Sequence, residues 1–184
     1  MRMTGFTLIA AAVVGLMCSS KAHAESQSFM VVDRQNIENT SGARGTYLNF
    51  GDLSELTGRQ VLYAKLYVTV AWDSCAGQDP ELDIHVPTSQ WNASQVEQLA
   101  SWDSTSASIV NNLVFSANSE QTTEGTLEIL LNEVVQAWAD GILTKHALLL
   151  VHRGSTCDLN VLLDSQVSQG SAVELVVESV PKQE

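Results

Sequence analysis

Apolar side chains recur at every second position through residues 61–72. Leu62, Ala64, Leu66, Val68 and Val70 share one face, and Tyr63, Lys65, Tyr67 and Thr69 share the other. A period of two carried by β-branched and aromatic residues predicts a strand with one face in a core. The same alternation runs through Thr46, Leu48 and Phe50, and through Leu82, Ile84 and Val86 against Asp83 and His85, stopping at Pro87. Residues 29–32 predict a short first edge strand in an otherwise polar stretch, residues 25–45. Further strands are expected at residues 109–117, 126–131, 159–163 and 173–180. Residues 147–151 are different: Ala147, Leu148, Leu149, Leu150 and Val151 form an unbroken apolar run. It is too short for a helix of its own and predicts a strand buried on both faces.

Helical spacing is brief by comparison. Val134, Val135, Ala137 and Trp138 fall on one helical face within residues 131–150, which predicts a short helix with Trp138 plugging the core. Asn132 is placed to cap its start and Gly141 to end it in the left-handed conformation. A second helical turn is expected between Trp91 and Trp102, and a tight turn at Gly58. Many short strands with one or two short helices predict an all-β sandwich of a single domain.

The first residues carry Arg2, an apolar stretch over residues 6–17, and then Ala22, His23 and Ala24. A basic start, an apolar run and a small-x-small site predict a secretory signal peptide over residues 1–24. The run falls short of the roughly 20 residues that span a bilayer. That leaves residues 25–180 as one domain, long enough for a real core, and residues 181–184 as a short tail. The expected location is secreted, periplasmic or extracellular, with no membrane insertion after cleavage. Arg2 and Lys21 depart with the leader, so the formal charge of −12 becomes two units more negative. A protein so acidic repels nucleic acid by its long-range field, and nucleic-acid binding is set aside.

Two cysteines remain after cleavage, Cys75 and Cys157. In an oxidising compartment they predict one disulfide. No CxxC spacing or adjoining Cys/His set favours the competing reading, a pair of metal thiolates. Asp73, Asp79, Glu81 and Asp83 cluster around one loop, as a calcium site or as a plain solvated acidic loop, since calcium takes six to eight oxygen ligands. No other cofactor is expected. His85, His146 and His152 are placed at strand edges without metal-ligand spacing. No pair of acids stands out for glycoside hydrolysis, and no G-x-S-x-G elbow accompanies the serines. The expectation is that the protein is not an enzyme. Tyr63, Tyr67 and Trp72 form a candidate platform for stacking sugar rings, with area burial as the driving term.

The order of segments resembles DNRLRE-type domains. Residues 50–56 resemble that family's early strand and turn, with Gly51 as one extra residue, and residues 61–69 resemble the strand that follows. Residues 82–102 carry Trp91 and Trp102 in place of the family's two tryptophans. Residues 131–150, with Val135-Gln136-Ala137-Trp138 and Asp140-Gly141 ahead of Leu148-Leu149-Leu150, are the most specific match. Residues 174–177 resemble the closing strand. The resemblance covers residues 33–180. It implies an antiparallel jelly-roll β-sandwich, alone or appended to larger secreted surface proteins, some of whose relatives bind carbohydrate, alginate included. This chain lacks the basic strand face that an acidic glycan needs, and its Cys75/Cys157 pair is foreign to the pattern.

These readings converge on an exported, non-catalytic sandwich with a structural or adhesive role at the cell surface or in extracellular matrix. The alternative is a glycan-binding module for a neutral polysaccharide. Partners are then such a polysaccharide, other surface proteins, or further copies of the chain.

Overall fold

The structure, a computed structural model, describes residues 23–72, 81–87, 93–98, 102, 106–114, 123–153, 159–162, 164–167 and 170–183. Ten strands lie among them: β1 (Glu25–Met30), β2 (Asp33–Glu38), β3 (Arg44–Asn49), β4 (Arg59–Trp72), β5 (Glu81–Pro87), β6 (Ser106–Val114), β7 (Thr123–Leu130), β8 (Ala147–Arg153), β9 (Leu159–Val161) and β10 (Val173–Pro181). The helices are α1 (Ala93–Glu97) and α2 (Asn132–Ala139), with single 3-10 turns at Ser54–Leu56 and Asp164–Gln166.

The strands form two five-stranded antiparallel sheets. The first runs β1-β10-β4-β7, with β9 also paired to β4, and the second runs β2-β3-β8-β5-β6. Consecutive strands cross repeatedly from one sheet to the other. With β2 and β9 set aside, β1-β10-β4-β7 facing β3-β8-β5-β6 is the double Greek-key order of a jelly roll. The expected fold class is therefore what the chain adopts.

Between the sheets lies the main core. Ala64, Leu66, Val68 and Val70 of β4 meet Leu82, Ile84 and Val86 of β5 and Leu148 and Leu150 of β8. A second, smaller core covers the outer face of the second sheet, where Tyr47, Ala147, Leu149 and Val151 pack under Val96 of α1 and Trp102. Residues 147–151 are thus buried on both faces, each at most 2 % exposed. Gly45 lies within this second core. A Cβ there would sit 2.7 Å from the Leu150 carbonyl oxygen and 3.2 Å from the Trp102 ring, so only glycine fits between β8 and the indole.

Four details depart from the sequence reading. First, β2 was not expected. Its residues are polar because it is an edge strand that hydrogen-bonds to β3 and sends only Ile37 fully into a core. Second, Leu62 does not share the inner face of β4: it is 49 % exposed, and Val61 is buried instead. Opposite it the register jumps, Glu178 pairing with Tyr63 but Ser179 with Val61, so Leu62 is the extra residue of a β-bulge and the alternation changes phase there. Third, His85 lies within β5, 1 % exposed, because both faces of that strand are covered.

The fourth departure concerns α2. Leu131, not Asn132, occupies the cap position, and no side chain caps the helix. Asn132 instead accepts, through Oδ1, the Ala64 backbone N–H at 2.8 Å. Gln136, one turn on, accepts the Val61 N–H at 2.7 Å and donates to the Arg59 carbonyl at 3.2 Å. The reason is geometric. β7 pairs with β4 only over residues 65–72, which leaves the first part of that β4 edge without a strand. Two side-chain amides on one helical face take the missing strand's place, and buried backbone groups require such partners. The apolar residues of the helix, Val134, Val135, Trp138 and Ala139, then close the end of the main core. Trp138 packs 5.9 Å from the rings of Phe50 and His146, and Gly141 ends the helical segment at φ +70° as expected.

Asn132→Ala should lower stability by about 1–3 kcal/mol, the usual consequence of leaving a buried donor without its acceptor. Asn132→Asp, which keeps the acceptor oxygen, should retain most of it. Urea unfolding of both variants checks this; equal destabilisation by both would contradict the clasp.

Candidate functional site

The two outer faces of the sandwich differ. That of the second sheet is roofed by α1 and Trp102, whereas the described outward side chains of the first sheet are exposed or half-buried, Thr69 excepted. The strand registers fix what this open face presents. Tyr63, Lys65 and Tyr67 of β4 pair with Glu178, Val176 and Glu174 of β10, which pair in turn with Ser26, Ser28 and Met30 of β1. On the other side, Leu130 and Glu128 of β7 stand opposite Lys65 and Tyr67. Alternation along each strand brings these residues to one surface, because cross-strand partners share a face.

Lys65 is the centre of the face. Its Nζ donates to Glu128 Oε2 at 2.6 Å and lies 5.5 Å from the centroids of both the Tyr63 and the Tyr67 ring. The bond to Glu128, and after it the one to Tyr63, raises the Lys65 pKa above its ordinary value. An ammonium is therefore held by one carboxylate and two aromatic rings, which is a cation–π arrangement. On the opposite flank, Glu174 and Glu178 have neither an ion pair nor a hydrogen bond among the described residues.

The tyrosines of the expected platform are thus brought together, spaced about 13 Å apart at strand rise. Of Trp72 only the backbone is described, paired with Thr123 and Leu159. The alternation of β4 places Lys65 on this face with the tyrosines, whereas nothing in the sequence singles out Glu128, Glu174 and Glu178. The alternation of β10 was visible there, but not that β10 lies beside β4.

The remaining candidates stand as follows. Asp73, Asp79, Cys75 and Cys157 lie outside the described residues, and Glu81 is described by its backbone alone. Asp83 is 4 % exposed within β5 and does not face solvent. Among the described residues no group of three metal-binding side chains comes together, and no helix is long and apolar enough to cross a membrane. His146 contacts the Gly51 carbonyl through Nδ1 at 2.7 Å. His152 lines an open-ended hollow of about 330 Å³ with Asn36, Glu38, Arg44 and Asn160. A second hollow, about 390 Å³, runs between Gln60, Val61 and the outer side of α2.

No protein-family model matches the chain, and no curated protein matches it in sequence. Among solved structures it is similar to a chain of the structure of black queen cell virus, at 10 % identity, covering 97 % of this chain and 78 % of that one with a TM-score of 0.23. A superposition that loose carries no argument, and the jelly roll rests on the strand order.

The third tyrosine belongs to the second core. Burial, reinforced by the negative charge of Asp33, pushes the Tyr47 phenol from 10.0 up to about 12. The folded value lies above the unfolded one, so the neutral phenol stabilises the fold fully below pH 10. That contribution is lost as pH rises from 10 through 12. Ultraviolet titration should show a late phenolate phase that Tyr47→Phe removes; an unchanged profile in the variant would contradict the assignment.

Proposed function

We propose that the chain is an exported, non-catalytic sandwich that adheres at the cell surface or in extracellular matrix through the open face of its first sheet. The observation carrying this reading is the asymmetry of the two outer faces. One is sealed by a second core, while the other presents two half-buried tyrosines among exposed carboxylates and hydroxyls. The DNRLRE-like order of segments supports the same role. The tyrosines also favour the second reading, a module for a neutral polysaccharide, because pyranose rings bury apolar area against aromatic faces.

The reading is tested on a panel of immobilised neutral, acidic and amine-bearing polysaccharides, with sedimentation velocity run in parallel. We expect retention on at least one polysaccharide or self-association of the chain, lost in Tyr63→Ala/Tyr67→Ala at an unchanged melting temperature. The absence of both would overturn the adhesive reading. Release of soluble product from any polysaccharide would overturn the non-catalytic one.

Export is supported by the leader pattern, with β1 beginning at Glu25 directly after Ala24. The Cys75–Cys157 disulfide belongs to the same proposal. Trp72 at the end of β4 and Leu159 at the start of β9 are register partners, so the chain leaves paired positions close in sequence to each cysteine. Purified from an oxidising compartment, the protein should yield a linked peptide pair in a non-reduced digest. Reduction should lower stability by about 4 to 5 kcal/mol less any strain, given the long loop between residues 75 and 157. Two freely alkylated thiols would overturn the bond.

A further inference from the structure

Resting on the adhesive reading, the open face carries a more specific assignment, because its charge and its rings point the same way. Among the described side chains three carboxylates, Glu128, Glu174 and Glu178, share the face with one cation, Lys65, which Glu128 already pairs. Among the described residues two carboxylates are left without a partner, in register with the two tyrosines: Glu178 with Tyr63 and Glu174 with Tyr67. Each tyrosine therefore has an acid as its cross-strand partner, the combination of acid and ring types that holds the Lys65 ammonium on the same face. Lys65 acts as the face's own example of the group it accepts.

We propose that this face binds a polysaccharide bearing primary amines, an amino-sugar polymer with free rather than acetylated nitrogens. Its ammonium groups seat between Glu178 and Tyr63 and between Glu174 and Tyr67, and its ring faces lie over the tyrosines. The hydroxyl-bearing Ser26 and Ser28 on β1 and Thr126 on β7 extend the surface with groups that match sugar hydroxyls. A basic peptide would satisfy the charges alone. Peptides are held by strand addition at an edge or by pockets for side chains, and these residues lie on the face of a sheet rather than along its edge. An acidic polymer meets the carboxylates of Glu174 and Glu178 and is repelled, and a neutral one leaves them unanswered.

The probe is the glucosamine hexamer, titrated calorimetrically into the full mature protein at slightly acidic pH, beside the N-acetylglucosamine hexamer and hexalysine. The expected result is at least tenfold tighter binding of the free amine than of either comparison. It should weaken with added salt, since exposed charges are screened. Glu174→Gln/Glu178→Gln should weaken it about tenfold, and Tyr63→Ala/Tyr67→Ala should abolish it, while Tyr63→Phe/Tyr67→Phe keeps the rings and the binding. The control is Glu55→Gln/Glu133→Gln, two exposed acids outside this face, which should change little. An equal loss in the control would mean general attraction to an acidic protein and would overturn the proposal. Hexalysine binding as tightly would overturn it in favour of a basic peptide. Equal or tighter binding of the acetylated hexamer would overturn the charge assignment while leaving the adhesive reading in place. No binding of any polysaccharide, together with a monomeric protein, would overturn both.

Discussion

The backbone of β4 has to be hydrogen-bonded along its whole length, and the architecture follows from how that is done. One edge is taken by β10 and then β9, the other by β7 only as far as residue 65. Beyond that point the Val61 and Ala64 N–H groups would be stranded at the margin of an apolar core. An unpaired buried N–H costs about 1–3 kcal/mol. Asn132 and Gln136 supply the acceptors, and in doing so they fix α2 across the end of the sandwich with Trp138 pointing in. A polar requirement of the backbone thus places the helix, and apolar burial secures it. The bulge at Leu62 belongs to the same region, where the edge passes from strand to helix and the alternation slips by one residue.

The second consequence is the unequal treatment of the two sheets. β8 and β5 are buried from both sides, so the second sheet resembles the middle layer of a three-layer stack. Its outer face is occupied by protein. The first sheet keeps a single buried face and a clean alternation on β10, from Val173 through Val177 inward and Glu174 through Glu178 outward. Among the described residues no second core seals that outer face. Two rings and a lysine share that face by alternation along β4, and register brings Glu174, Glu178 and Glu128 beside them.

The sequence by itself determined most of the strands, the doubly buried run at residues 147–151, the core role of Trp138 and the turns at Gly58 and Gly141. Each of these is written in local periodicity or in backbone freedom that only neighbouring residues set. It also determined the inner face of β4 from Ala64 onward, and with it the outward placement of Tyr63, Lys65 and Tyr67. Tertiary structure alone decided the rest. β2 has almost no apolar signal because an edge strand is held by hydrogen bonds that composition does not encode. Leu62 changes sides because a bulge depends on the partner strand's register. Asn132 serves β4 rather than its own helix because the vacancy it fills is created by the end of β7. The carboxylates beside the tyrosines come from β10 and β7, far away in the chain, and only strand order brings an acid next to a ring. Periodicity tells a residue which way to face; it does not tell it whom it will face.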